Sequence, residues 1–482
     1  MSWRERSPAI DLAAQLAAEP NRRLRGKSIP PVRPAAPVPP ERPLGWLAAL
    51  KALRQNPITA FPEGAYEART LEIGRSGRRL LLVNDPAAIQ HILVDNATNY
   101  RKSVQQRRLL QPALGDGLLT AEGEAWRSAR RIAAPLFSPR AIGALFDDMS
   151  SAANAMTDRW RTRGDTSTPL DLVAEFQRLT YEIVSRTVFS GALDEDRIRV
   201  HAHMAIYFET LGRLDLAGLL NLPPWLPTPA RLRARPALQA FRSVVDRVVG
   251  EREQESDREI VDLLDRLMAA PDPTNGRSLP PEAVSDNVLT FLAAGHETTG
   301  NALAWTLYLL ALFPEAAERA REEVRSVFKG GSVTRSDLDR LVFTRAVINE
   351  TLRLYPPAPF MGREALGPDR AGEREIPAGA QIVISPWIVH RHRGLWPQPD
   401  SFCPERFLLP GAELFPRGSF IPFGLGPRIC IGQGFAVQEI LTVLATILPG
   451  FRFTLADAPS VFPQARITLQ PRQALAMRVE PY

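Results

Sequence analysis

The sequence predicts a single mainly helical domain carrying small β-sheets. Apolar residues recur at helical spacing over long stretches, from Arg140 to Arg163, Asp171 to Phe189, Arg235 to Met268, Pro281 to Phe313 and Asp337 to Leu354. Short alternating runs beside glycine or proline turns mark only a few strands. Beyond Pro43 neither a linker nor an internal repeat interrupts the chain, so residues 1–43 read as a proline-rich leader and residues 44–482 as one domain.

Taken in order, the segment Ile29 to Pro43 is too proline-dense for a helix and reads as an extended arm wrapped on the body, with an SH3-type ligand as the functional alternative. Alternation around Gly74 to Gly77 signals a β-hairpin. Asp85 then caps a helix with Pro86 in its first turn, running to about Leu93. After the long helices, the turn Pro377 to Ala380 joins short strands, and a second hairpin falls near "ARITLQPRQALAMRV".

With 45% hydrophobic and 23% charged residues, the chain can bury a large core and lies far from the disordered regime. Its net charge of +6 is spread along the sequence, which gives nucleic-acid binding little support. Local clusters such as "WRSARR" (Trp126 to Arg131) and "RLRAR" read as solvated helix faces or, more sharply, as a surface for an acidic protein. Only Cys403 and Cys430 are present, too few for a disulfide framework or a four-cysteine zinc site, which fits a reducing compartment. The amino terminus has neither a signal-peptide core nor an apolar run long enough to span a bilayer, and Ile10 to Ala18 reads as a frayed terminal helix or a short helix on a membrane surface. A soluble, cytoplasmic, monomeric protein without a transmembrane anchor is expected.

Near the end of the chain, "FGLGPRICIG" sets Cys430 among Gly424, Gly426 and Gly432, with Arg428 two residues before it. A packed structural thiol needs no such surroundings. The glycines let the backbone approach a flat ligand or take a positive φ, the apolar run after Gly432 starts a helix whose amino terminus favours a thiolate, and Arg428 offers a fork of donors to a carboxylate. A planar, iron-bearing molecule with carboxylates fits these features, and that molecule is haem. Cys403 lacks them and reads as a packing residue. In the long helix, "FLAAGHETTGNALAW" places Gly295, Glu297, Thr298 and Thr299 in apolar surroundings at a cost in propensity and burial. The six histidines show no metal-ligand spacing, so a non-haem metal site is not expected.

The cysteine loop resembles the haem-binding signature of the cytochrome P-450 superfamily, Phe-Gly-x-Gly-x-Arg-x-Cys-x-Gly, matched by Phe423, Gly424, Gly426, Arg428, Cys430 and Gly432. The resemblance implies that Cys430 is the axial thiolate, Phe423 shields it and Arg428 pairs with a haem propionate. It also covers "ETLR" and "PERF", implying a buried network of Glu350, Arg353 and Arg406 that holds the loop in register. The segment Ala294 to Thr299 matches the family pattern that crosses the distal haem face where the helix widens. Thr298 would hydrogen-bond the activated dioxygen and Glu297 would help relay protons, whereas His296 falls at a variable position and reads as structural. Trp126, Arg130 and Arg363 resemble further propionate-binding positions.

The fold so implied is a single P-450 domain enclosing haem b. The implied reaction is monooxygenation with O2 as co-substrate: hydroxylation, epoxidation or oxidative dealkylation of a medium-sized hydrophobic substrate. No Gly-x-Gly-x-x-Gly occurs, so electrons from NAD(P)H are expected through a separate ferredoxin or flavodoxin with its reductase, docked through arginines such as Arg127 and Arg131. A peroxide-driven peroxygenase and a non-catalytic haem sensor are the competing readings. Pocket walls are expected from Ser103 to Leu119, Tyr207 to Leu226, Phe291, Ala294, Ala358, Phe360, Met361, Val461 and Phe462. Fatty acid, terpenoid, steroid and methoxylated aromatic substrates all stay open.

Overall fold

The fold is organised around one helix, Pro281–Leu312, whose 32 residues run through the protein centre and span about 48 Å at 1.5 Å per residue. The computed structural model describes residues 33–73, 79–164, 166–192, 203, 229–255, 259–328, 333–408, 415–456 and 461–482. Pro281 supplies the pre-set first-turn φ, and the leucine- and alanine-rich run that follows is buried on nearly every side. Two glycines in its interior have a packing reason. A Cβ on Gly300 would stand 3.1 Å from Gln177 N, and one on Gly295 would stand 3.2 Å from Val184 Cγ2. Helix Leu172–Phe189 therefore crosses the central helix at close range, which larger residues at these positions would oppose.

Helix Gln433–Ile447 follows the cysteine loop and packs along helix Phe146–Arg161, while helix Val342–Leu354 packs on the 3-10 turn Pro404–Phe407. Between them lies an aromatic core in which Trp305 and Tyr355 stack with ring centroids 4.0 Å apart. Tyr355 donates its hydroxyl to Ala35 O at 2.8 Å, and the Ala35 N–H donates to Tyr308 Oη at 3.2 Å, so the end of the leader is fastened to this core.

Strands β1 (Thr70–Glu72), β2 (Leu80–Val83), β3 (Tyr100–Lys102), β5 (Met361–Ala365) and β8 (Gln381–Ile384) form one sheet in the order β1-β2-β8-β5-β3, with only β2 and β8 parallel. The register sets Lys102 opposite Arg363, which brings two cations together at the sheet edge. A three-stranded sheet joins β4 (Leu170–Asp171), β12 (Ala476–Pro481) and β9 (Phe451–Leu455), and β10 (Pro463–Ala465) pairs with β11 (Leu469–Pro471).

Several boundaries differ from the sequence reading. The stretch from Arg140 to Arg163 is two helices, Pro139–Gly143 and Phe146–Arg161: Ser138 caps the start of the first against Ala141 N, and the chain leaves helical geometry at Leu145 (φ −91°, ψ 4°) before the second begins. The stretch from Arg235 to Met268 divides into Pro229–Gln254 and Leu263–Ala269, since Asp262 opens a capping box with Asp265. That pair also holds Arg252, whose Nη1 donates to Asp262 and Asp265 at 2.6 Å each. The turn Pro377 to Ala380 leads from β7 (Arg374–Ile376) to β8, which lie in different sheets rather than in one hairpin, β7 pairing with β6 (Asp369–Ala371). The Gly74 to Gly77 tip, the leader before residue 33 and all of Tyr207 to Leu226 lie outside the described residues. Among the described residues no helix is long and apolar enough to cross a membrane.

Candidate active site

Each glycine of the cysteine loop meets a different neighbour. Gly426 has φ +74°, and a Cβ there would stand 2.0 Å from Leu93 O, so the loop lies directly on the turn His91–Asp95. Gly424 has φ +79°, with Met361 Sδ at 3.6 Å from the position of its Cβ. Gly432 takes an ordinary φ of −86° as it starts helix Gln433–Ile447, and its Cβ position is 4.0 Å from Cys430 Sγ. The Cys430 N–H donates to Phe423 O at 2.9 Å, which closes the loop. Cys430 retains accessible surface, yet protein packs closely enough that burial pushes its thiol up, with the Gly432 N–H and Arg130 acting against this. The helix start thus stabilises the thiolate less than its setting destabilises it. Cys403 behaves as read: it is half-buried, and burial pushes its thiol up to about 11.

Behind the loop, Glu350 binds two arginines. Its Oε2 accepts from Arg353 Nε at 2.7 Å, and its Oε1 accepts from Arg406 Nε at 3.1 Å and from Cys403 N at 2.9 Å. All three charged side chains are fully buried, and the spare donors go to backbone: Arg353 to His390 O, Pro399 O and Ser401 O, Arg406 to Pro397 O and Gln398 O. His390 completes the link, since its Nε2 accepts from Ile421 N at 2.9 Å, two residues before Phe423. Burial, assisted by Arg353 and Arg391, holds that imidazole neutral.

On one side of the loop the structure gathers cations. Arg428 lies 4.4 Å over the Trp126 ring and pairs with Glu122, while Arg363, buried, donates to Gly362 O at 2.9 Å. Lys102, also buried, donates Nζ to Leu118 O at 2.8 Å and Ala121 O at 3.0 Å. Burial lowers Lys102 to about 7, with Arg428 adding to it, and lowers Arg363 to about 10, again with Arg428 adding. Arg130, half-buried on the Trp126 helix, is lowered by burial and interacts with Cys430. Among the described residues Arg428 Nη1 has no hydrogen-bond partner. Buried cations in excess over Glu122, an aromatic face and an unpaired guanidinium nitrogen fit the carboxylates of haem. Lys102 and Glu122 escaped the sequence reading because neither residue carries a signal of its own. A sheet register and a helix start bring them there.

The central helix presents an open stripe in its otherwise buried middle, with Ala294 exposed and Gly295 and Thr298 half-buried. It remains α-helical throughout, with no local widening: Thr298 Oγ1 donates to Ala294 O at 2.6 Å, and Thr180 Oγ1 from the crossing helix donates to His296 O at 2.7 Å. His296 is buried, within hydrogen-bond distance of Leu292 O and edge-on to Tyr181. Glu297 points elsewhere than Thr298. Its Oε1 accepts from Thr468 Oγ1 at 2.6 Å, its Oε2 has no hydrogen-bond partner, and burial pushes its carboxyl up to about 7. A second acid, Glu439 on helix Gln433–Ile447, is fully buried against Thr299, and burial pushes it well above the carboxylate range.

Of the pocket residues, Phe291 packs edge-on against Phe137 at 5.3 Å, Ala358 is exposed, and Met361 Sδ lies 3.6 Å from where a Cβ on Gly424 would stand. Phe360 stacks on Phe61 at 5.7 Å, so its ring serves packing, and Phe462 is half-buried with its carbonyl accepting from Arg472 N. Among the described residues no group of His, Cys, Asp or Glu is placed to hold a metal ion.

The chain is similar to known proteins over most of its length. The Cytochrome P450 family model matches residues 39–476. The chain is 31% identical to cyclooctatin synthase of Streptomyces melanosporofaciens over 430 residues, covering 89% of this chain and 92% of that one. It is also 31% identical to cyclooctat-9-en-7-ol 5-monooxygenase from the same organism, with 88% and 93% covered. The heme domain of cytochrome P450DA superposes with a TM-score of 0.81 at 26% identity, covering 93% of this chain and 99% of that one. The chain belongs to the cytochrome P450 family. It is a P450 monooxygenase, an oxidoreductase that uses haem iron and O2.

Proposed function

We propose that this monooxygenase inserts one oxygen atom into a medium-sized hydrophobic compound held against the Ala294–Thr298 stripe, and that Cys430 would hold the haem iron through its thiolate. The stripe is the observation that carries the reading: a long helix, buried over most of its length, opens at its centre, beside the apolar pair Phe291 and Phe137. Met361 against Gly424 is a further apolar wall next to the cysteine loop. When bound, haem supplies the one-electron and O2 chemistry that replaces a C–H bond by C–OH.

The chain's residues bind and position. Arg428, Trp126, Arg130 and Arg363 would hold the haem carboxylates, and Phe423, Gly424 and Gly432 would shape the backbone beside them. Glu350, Arg353 and Arg406 fix the loop. Glu297, near neutral charge balance at pH 7, holds a proton on the Thr468 side of the helix, and Thr298 offers its hydroxyl on the open side. Electrons come from NAD(P)H through a separate ferredoxin or flavodoxin with its reductase. Arg131 pairs with Glu124 and the buried Asp272, and Arg127 with Glu124, so acidic residues of the chain already compensate both arginines. A partner docking there engages a largely neutral surface. Residues 1–43 serve as a leader to a single cytoplasmic, monomeric haem domain.

A spectral titration of the ferric protein against fatty acids, terpenoids, steroids and methoxylated aromatics tests the substrate class. The names of the Streptomyces relatives put cyclic apolar alcohols first. A low-to-high-spin shift with one apolar class and NAD(P)H-dependent product from it is the expected result. No shift with any class would contradict the reading and favour a sensor.

A further inference from the structure

Glu122 is an acid in a place built for anions. It directly precedes helix Gly123–Ala133, where a carboxylate ordinarily caps the first turn, yet its side chain makes no capping hydrogen bond. Both oxygens point across to other elements. Oε1 accepts from the Lys102 N–H at 2.7 Å, and Oε2 takes Arg428 Nη2. The cations around it are Arg428, Arg363, Lys102 and, further out, Arg107, and Glu122 is an acid that interacts with both Lys102 and Arg363. Lys102 Nζ and Arg363 spend their described hydrogen bonds on carbonyls rather than on carboxylates.

We propose that Glu122 shares Arg428 with a haem carboxylate and so lowers the reduction potential of the bound iron and loosens the hold on haem. The inference rests on the haem placement proposed above and adds a residue that the family resemblance did not name. A fixed negative charge in a partly buried site favours the ferric over the ferrous state, since reduction adds one electron and neither makes nor breaks a bond. It also competes for the guanidinium fork, whose Nη1 stays open for a second anion. Glu122 is a positioning residue in this account: it acts through Arg428.

The test compares Glu122→Gln, Glu122→Asp and Glu124→Gln as holoenzymes. Glu124 lies two residues on, is exposed, and pairs with Arg127 and Arg131. Mediated dithionite titration gives the midpoint potential, and transfer to apomyoglobin gives the rate of haem loss. Glu122→Gln retains an acceptor for Lys102 N while removing the charge. It is expected to shift the ferric–ferrous equilibrium about tenfold toward ferrous, about 59 mV for one electron, and to slow haem loss severalfold. Glu122→Asp should restore most of both, and Glu124→Gln should change the equilibrium less than twofold. An unchanged potential in Glu122→Gln, an equal shift in Glu124→Gln, or faster haem loss would overturn the proposal, the last by showing that Glu122 merely props Arg428. A ferrous CO spectrum taken alongside separates the two failures: an intact thiolate signature with an unmoved potential sinks only this inference, and a missing signature in the parent protein sinks the haem placement.

Discussion

Replacing Glu297 by Gln should make the protein more stable above neutral pH while leaving it nearly unchanged in acid. The carboxyl is buried in the central helix and sits at about 7, against 4.5 for the unperturbed group. Burial is the main cause, with the Thr468 hydrogen bond and Arg466 working against it. A raised carboxyl pKa means that the folded state holds its proton more tightly than the unfolded chain. Its stability contribution is therefore complete below about 4.5 and is lost as pH rises through about 7. At about 1.4 kcal/mol per unit, the loss is roughly 3 kcal/mol in full and about 2–3 kcal/mol between pH 5 and pH 8. Glutamine keeps the oxygen that accepts from Thr468 and cannot ionise. Urea unfolding of the ferric holoenzymes at pH 5, 6.5 and 8, followed by circular dichroism, reads the difference between variant and parent. That difference should move toward the variant by about 2–3 kcal/mol across this range. A constant difference would show that Glu297 titrates like a solvated acid and would remove the physical basis for a proton held at that oxygen.

The supporting network and the loop glycines give two further tests. Glu350→Gln strands the buried charges of Arg353 and Arg406 and should cost about 3–5 kcal/mol in urea unfolding, whereas a cost below about 1 kcal/mol would mean the triad is not the clamp described. Gly426→Ala forces a Cβ to within 2.0 Å of Leu93 O at φ +74°, while Gly432→Ala meets Cys430 Sγ at 4.0 Å from an ordinary backbone. The first variant should lose most of its haem on purification and the second should retain it, as read by the ratio of Soret to protein absorbance. Equal retention in both would refute the packing of this loop on the His91–Asp95 turn.

The parts of the site legible in the sequence were those in which one residue type at one spacing has few other uses. The signals were Cys430 among its glycines, the Glu350 and Arg353 pair, which the fold buries and joins, and the acid and threonines in an apolar helix. Arginine 406 joined them as the resemblance implied. What stayed hidden arises from tertiary encounters. The β3–β5 register sets Lys102 beside Arg363, and nothing in either strand states that pairing. His390 is one of four basic residues in a row, and only the fold gives its Nε2 to Ile421 N. The helix break before Asp262 was missed because a side-chain capping box competes with an unbroken apolar period. Gly295, read as a sign of chemistry, also serves the close crossing of a neighbouring helix, and so does Gly300.

The central claim is that Cys430 provides the thiolate that holds haem iron in this fold, and the ferrous CO difference spectrum tests it most directly. The parent protein should show the red-shifted Soret band of a thiolate-ligated haem. Cys430→His should shift it to the band of an imidazole-ligated haem, with Cys403→Ser leaving the parent signature intact. Retention of the thiolate band in Cys430→His, or its loss in Cys403→Ser, would contradict the account.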